Sequence, residues 1–322
     1  MGRIKNFFLI FVLGIYLCSC ARSVHKDTFV VSGTYLEVIS PYRQASKIVY
    51  EEFRRLDKIF NFYDSNSEIS WLNSTFNQPF VVSDELLEVL EISKEINQAT
   101  DGSFDVTAGA LYDFWKTIIK KEPAELPSQD KVKQLQETGG FSNVDIDFDK
   151  GQVTIKKEGL KIDLSGIAKG YMVDKAAEKL RENGITSAII NAGGDIYCLG
   201  KNMDKAWQIG IRDPLTREVI EKQELVNKAI ATSGGYEQFF KVGSRKFSHL
   251  VDTRAGFPVD NNILSVSVVS RDCMMADSLA TAFSVMGLAE IESFFNNKPS
   301  SIEAFVVVRD GIRKYIKVFG KG

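Results

Sequence analysis

Near the carboxyl end, SRDCMMADSLATAFSVMG places Asp277 and Thr281 four residues apart, on one face of a predicted helix beginning near Ala276. A carboxylate and a hydroxyl are hard oxygen donors. Mg²⁺ favours such donors and completes its shell with water and phosphate oxygens. The same pair fits a plainer reading, in which Asp277 caps the helix and Thr281 bonds back to a backbone carbonyl. A second candidate lies far earlier. In KIDLSGIAKGYMVDKAAEKL, Asp163 ends a predicted strand and a helix follows from near Gly166. The free N–H groups of a helix start attract anions. Yet the segment has neither the GxxxxGK[ST] nor the GxGxxG spacing of the familiar phosphate loops. A carboxylate there needs a hydroxyl, a base N–H or a cation as partner. Otherwise it caps the helix, and Gly166 and Gly170 merely allow close packing.

Three more stretches carry residues with chemical content. NAGGDIYCLG and ATSGGYEQFF each end an apolar strand in paired glycines. Such pairs suit backbone lining a crevice and suit hairpin turns equally. FSHLVDTRAGFPV holds His249, Asp252 and Arg254 ahead of a Gly-Phe-Pro turn. Of the 2 histidines, His25 lies in the predicted tether, so His249 is the sole imidazole of the predicted folded part. An acid, an arginine and an imidazole on one strand-turn edge suit contacts to a phosphorylated ligand. A structural ion pair is the alternative for Arg254.

These residues need elements to position them. TFVVSGTYLEVI alternates like a strand. SKIVYEEFRRLDKIFNFY has helical spacing, with Ile48, Phe53, Leu56, Ile59 and Phe60 on one face. SDELLEVLEISKEINQAT reads as a second helix, with Ser83 as N-cap and acids in the first turn. DGSFDVTAGALYDFWKTI reads as turn and helix, and KKEPAELPSQDKVKQLQETGG as an exposed connection with room for one helix. From Val144 short strands recur, LKIDLS among them, interrupted by helices over 166–183 and 277–286. The pattern predicts an α+β fold around a largely antiparallel sheet, forming one catalytic unit with two lobes.

The 322 residues are 44% hydrophobic and 25% charged, enough to bury a sizeable core. A formal net charge of −2 gives no electrostatic footprint for nucleic acid. The basic MGRIK and an apolar run of roughly a dozen residues read as an export signal, too short to span a membrane comfortably. That run ends in LCSC, which resembles a bacterial lipobox and makes Cys20 the candidate lipidation site. An ordinary signal peptide is the alternative. The expected organisation is a lipoprotein signal peptide over 1–19, a lipidated tether over 20–27 and a catalytic domain over 28–322. Lipid chains anchor a protein to a membrane without spanning it. Cys198 and Cys273 remain, with no C-x-x-C pair and hence no zinc site. They either form one bridge or stay as buried thiols.

DGSFDVTAGAL, KIDLSGIAKGYMVD, NAGGDIYCLG, SHLVDTRAGFPV and ADSLATAFSVMG, in this order and spacing, resemble the ApbE family of bacterial flavin transferases. SGTYLEV and FNFYDSNSEISWLN also fit, so the resemblance covers essentially the whole mature chain. It implies an α+β, T-fold-like unit of mostly antiparallel sheets and packed helices, with two lobes around an FAD crevice. It also implies Mg²⁺-dependent cleavage of FAD at its pyrophosphate. FMN would pass to a Thr or Ser hydroxyl of a target flavoprotein, and AMP would leave. Hydrolysis of FAD to FMN and AMP is the alternative, and a flavin-binding lipoprotein without turnover is a third reading. Position by position, Asp277, Thr281 and the Gly166 carbonyl match the family's metal ligands. Thr34, Tyr63, Ser103, Phe104, Asp105, Asp163, Lys169 and Val251 match residues around FAD. His249 matches a histidine linked to activity, and Arg254 is a candidate phosphate contact. Two positions depart from the usual pattern: Ser32 stands where methionine is frequent, and Val251 where isoleucine is frequent. The implied partners are FAD, acceptor flavoproteins such as subunits of membrane redox complexes, and a membrane reached by the lipid anchor on the periplasmic side.

Overall fold

Alternating apolar residues build the central sheet. In Thr34–Ser40 the side chains of Leu36 and Val38 are fully buried while Tyr35 is exposed. A computed structural model describes residues 24–119, 126–234, 239–242, 245–297, 301–311 and 313–320. The predicted signal peptide and Cys20 lie outside the described residues. Strand His25–Val31 begins inside the stretch assigned to the tether, so residues 25–27 are sheet.

Eight strands lie side by side in chain order, all neighbours antiparallel: His25–Val31, Thr34–Ser40, Ala188–Ala192, Asp195–Leu199, Lys228–Ser233, Ile263–Ser270, Glu303–Asp310 and Arg313–Phe319. On one face pack the helices Ala45–Phe60, Ala168–Glu182 and Cys273–Val285, which with the sheet enclose the main core. The other face is covered by the hairpin Trp207–Arg212 and Val219–Leu225, where Trp207, Ile211 and Leu225 pack on Cys198 and Phe305. A second lobe surrounds the Gly109–Ile119 helix. There Trp115 is buried with Leu111, Val132 and Val251, and its indole N–H donates to the Gly256 carbonyl at 2.9 Å. The expected α+β architecture of antiparallel sheet and packed helices is the one observed.

The Cys273–Val285 helix is buried on nearly every side. Its first two N–H groups donate to the Asp174 carboxylate, both at 2.8 Å, so a side chain from the neighbouring helix caps it. That moves the helix start to Cys273, upstream of the expected Ala276. Asp277 then sits in the second turn and is not a cap.

Other local differences have physical causes. LKIDLS forms no sheet strand. Only Lys161 bridges, to Ala108, and the Asp163 N–H donates to the Val106 carbonyl. The segment is held by the second lobe and not by the sheet. The helix Glu68–Ser74 has seven residues, too few to show periodicity, and is set by its Ser67 cap. Helix Leu288–Asn297 follows the previous helix after a short break at Met286 and Gly287 and was not expected. Cys198 and Cys273 are free and buried, and burial pushes the Cys198 thiol up to about 12.

Candidate active site

The Ala168–Glu182 and Cys273–Val285 helices approach closely because both present small residues. At Gly170 there is no room for a side chain: a Cβ would stand 2.5 Å from the Cys273 carbonyl oxygen. The Gly170 N–H donates to Asp277 at 3.2 Å. The carboxylate of one conspicuous motif is therefore tied to the backbone of the other.

Around this contact lies a cleft of about 400 Å³. Ten of the expected residues line it: Ser103, Phe104, Asp105, Asp163, Gly166, Lys169, His249, Val251, Asp277 and Thr281. They come from four separated stretches, brought together by the two helices, the glycine turns and the second lobe. Gly166 lies in the turn before its helix, which starts at Ala168. A Cβ there would stand 3.5 Å from the Thr281 hydroxyl oxygen, so this turn backs directly onto Thr281. Thr281 shares a 3.2 Å hydrogen bond with the Ser233 hydroxyl.

Asp277 is 3% exposed. Burial and the nearby Asp195 carboxylate push it up to about 7, against the pull of the Lys169 ammonium and the Gly170 amide. Lys169 stands 2.5 Å from Asp195 and 3.5 Å from Asp277. Burial works to lower its pKa, but the two carboxylates outweigh burial and hold it well above the ordinary lysine range. Asp163 is also buried; one oxygen accepts from the Ser165 N–H at 2.9 Å and the other from Lys116 at 3.3 Å. It closes a local turn and does not cap the helix. Asp105 is raised by burial, although the Thr107 hydroxyl and N–H both donate to it.

Three expected residues stand apart from the cleft lining. The Tyr63 side chain is 73% exposed, and its hydroxyl accepts from Lys116 at 2.7 Å, which ties it to the cleft edge. Thr34 backs onto Gly193, whose positive φ and missing side chain leave space for the threonine hydroxyl. Arg254 is not brought to the cleft. Its guanidinium is bound by Asp252 at 2.9 Å and Glu290 at 2.7 Å, beside a separate groove. The structural ion pair is the arrangement present.

The cleft also contains residues not foreseen: Asp195, Thr232, Ser233, Tyr112 and Lys116. Tyr112 and Lys116 are four apart on the Gly109–Ile119 helix, a spacing that puts both on one face. Lys116 is held above its ordinary pKa by Asp163 and Tyr63 despite burial.

The donor set suits a hard dication. One buried carboxylate and one hydroxyl, a helical turn apart, line the cleft together with the glycine backbone turn that backs onto that hydroxyl. Among the described residues no group of three or more His, Cys, Asp or Glu side chains converges. Mg²⁺, which takes few protein ligands beside phosphate, needs none. A separate observation fits a polar ligand: the Ser103 hydroxyl is buried and has no hydrogen-bond partner among the described residues.

The ApbE family model matches residues 29–306. An FAD:protein FMN transferase of Vibrio cholerae is 31% identical, covering 97% of this chain and 96% of its own. One of Haemophilus influenzae is 31% identical over 77% of this chain and 73% of its own. Among solved structures, the ApbE protein of Thermotoga maritima superposes with a TM-score of 0.81 at 28% identity, covering 91% of this chain and 97% of that one. The flavin transferase ApbE of Vibrio cholerae does so with a TM-score of 0.81 at 27% identity, with the same coverage.

Proposed function

The chain belongs to the ApbE family, and from that premise we propose that it transfers FMN from FAD to a threonine or serine hydroxyl of acceptor flavoproteins. One observation carries the site assignment: Asp163 and Gly166 from one motif and Asp277 and Thr281 from another face a single cleft. In the reaction, the acceptor oxygen bonds to the FMN phosphorus as the P–O bond to AMP breaks. AMP leaves with the electron pair, and the hydroxyl proton passes to a base.

Asp277, Thr281 and the Gly166 carbonyl would hold Mg²⁺. When bound, it would neutralise pyrophosphate charge and polarise the phosphorus under attack. The remaining work falls to the chain's own side chains. The unpartnered Ser103 hydroxyl offers a hydrogen bond to FAD. Asp163, with Lys116 and Tyr63 beside it, forms the recess for polar atoms of the nucleotide. Lys169, 3.5 Å from Asp277, would set a cation beside the phosphates. His249 lines the same cleft, and in this reading it orients the acceptor hydroxyl and receives its proton. Positioning and charge neutralisation account for most of phosphoryl transfer, and these residues supply both.

The lipobox-like LCSC supports a mature chain lipidated at Cys20 and held to a membrane on the periplasmic side. The direct test incubates the chain with FAD, Mg²⁺ and a candidate acceptor flavoprotein. Covalent flavin fluorescence on the acceptor with stoichiometric AMP is expected. AMP without labelled acceptor would replace transfer by FAD hydrolysis, and neither product would sink both.

A further inference from the structure

The strand register gives the molecule two distinct ends. Val31 pairs with Thr34, Leu36 with Ala192 and Ala192 with Asp195, which places the turns at Gly33 and Gly193 at one end of the sheet. The Gly193 N–H donates to the Tyr35 carbonyl there, and Gly193, Asp195, Ser233 and Gly234 line the cleft. At the opposite end His25 pairs with Ser40, Ala188 with Leu199 and Cys198 with Lys228. Seven-residue strands separate the two ends by about 20 Å.

The chain enters the described fold at the end away from the cleft. Val24, Tyr42, Ser187, Lys201 and Met203 there line a groove of about 210 Å³. These parts are tied together: the Ser40 hydroxyl donates to the Ser187 carbonyl, and the Ser187 hydroxyl to the Lys201 carbonyl, both at 2.7 Å. Beyond them Lys201–Lys205 forms a tight turn. The Asn202 and Lys205 backbones exchange hydrogen bonds at 2.9 and 3.1 Å. Met203 stands at its tip with positive φ and is 69% exposed, with exposed Lys201 on one side and exposed Asp204 and Lys205 on the other. An apolar tip with two ammonium groups against the single Asp204 carboxylate keeps a net positive charge and matches the boundary of an anionic bilayer, where the methionine enters and the lysines meet headgroup phosphates.

The covalent distance then decides the orientation. From Cys20 to His25 there are five residue steps, which span at most roughly 17 Å of chain. We infer that the end carrying Val24, Tyr42, Lys201 and Met203 rests on lipid headgroups while the cleft faces away from the membrane. The inference rests on lipidation of Cys20. It defines the partner: the acceptor hydroxyl stands off the bilayer by at least the length of the sheet, about 20 Å, on a projecting soluble part of the acceptor. A hydroxyl at the headgroup level lies under the enzyme, out of reach of the cleft.

The test compares amide hydrogen exchange of the full chain in vesicles containing anionic phospholipid and in neutral detergent micelles, after mass spectrometry of the Cys20 peptide. The expected result is lipid on Cys20, with vesicle-specific protection at 41–43 and 201–205 and none at 32–34 or 193–195. The double variant Lys201→Glu, Met203→Asp should stay in the vesicles through its lipid and lose that protection about tenfold. Lipidated Cys20 with protection at the cleft turns, or with none anywhere, overturns the orientation alone. An unmodified Cys20 overturns the anchor and the orientation with it.

Discussion

The Lys169 ammonium stands 2.5 Å from Asp195 and 3.5 Å from Asp277, so one cation serves two buried carboxylates. Removing it leaves two buried carboxylates without their shared counter-charge. Lys169→Met should therefore lose roughly 3 kcal/mol of stability, the low end for breaking a buried ion cluster because Lys169 is partly solvated. A divalent cation at Asp277 would restore part of that loss. Thermal melts with and without Mg²⁺ check both statements, and the metal-induced gain in Tm should be larger in the variant than in the wild type. Unchanged stability and an equal metal effect would remove Lys169 as the counter-charge.

Asp277 sits in the second helical turn with its carboxylate committed to the cleft and to Gly170. Asp277→Ala should lower metal-dependent transfer by at least about 10³ and leave the chain folded. Thr281→Ala should cost about 10², and Thr281→Ser, which keeps the hydroxyl, should recover most of it. Rates are read from AMP release at saturating FAD. Mg²⁺-dependent turnover retained in Asp277→Ala would sink the metal assignment.

His249 lines the cleft through the segment between Ser248 and Val251. A group that moves the acceptor proton affects the chemical step and leaves FAD binding alone. His249→Ala should bind FAD with ordinary affinity, followed by flavin fluorescence quenching, and transfer roughly 10²–10⁴-fold more slowly. Wild-type transfer in that variant would take His249 out of the mechanism.

The pairing of DLSGIAKG with ADSLAT was legible as two candidate motifs but not as a geometry. Each alone reads as a capped helix, and long-range contacts separate the readings: the Asp174 cap on Cys273 and Met274, and the bond from Gly170 to Asp277. The sheet was legible because its strands alternate or run apolar. The register that puts Gly193 and Ser233 beside one cleft depends on tertiary pairing, which no local pattern encodes. Lys116 escaped notice because a lysine on an amphipathic helix ordinarily marks the solvated face; here Asp163 and Tyr63 turn it inward. Arg254 misled for the converse reason. Proximity to His249 in sequence suggested a phosphate contact, while Glu290 from a later helix captures it.

That capture gives a pH signature. The Arg254 guanidinium bonds to Glu290 and lowers its carboxyl below the ordinary value of 4.5, even against burial. A depressed folded pKa contributes stability that is present above 4.5 and is lost as pH falls through the folded value. Both side chains are partly exposed, which limits the pair to about 1 kcal/mol. Arg254→Met should lower Tm slightly at pH 7 and converge with the wild type in acid. Its KM for FAD should not change. A large rise in KM would return Arg254 to the substrate site.

The sharpest stereochemical test is Gly170→Ala. Alanine in a helix interior is favoured over glycine by about 1 kcal/mol, so propensity alone predicts a more stable protein. At this position, however, the new Cβ would meet the Cys273 carbonyl oxygen at 2.5 Å and the Met274 Cα at 2.7 Å. Both are backbone atoms of the facing helix, whose start is pinned by Asp174, so no side chain can rotate away to relieve the contact. Overpacking of this kind costs about 1–3 kcal/mol, which cancels or exceeds the propensity gain. Relief requires the two helices to part. That lengthens the 3.2 Å bond from Gly170 to Asp277 and draws Asp277 away from Lys169 and the Gly166 turn. The expected outcome is a lower Tm together with a fall in transfer rate at saturating FAD and Mg²⁺. A variant as stable and as active as the wild type would show that the two halves of the site do not depend on this close approach.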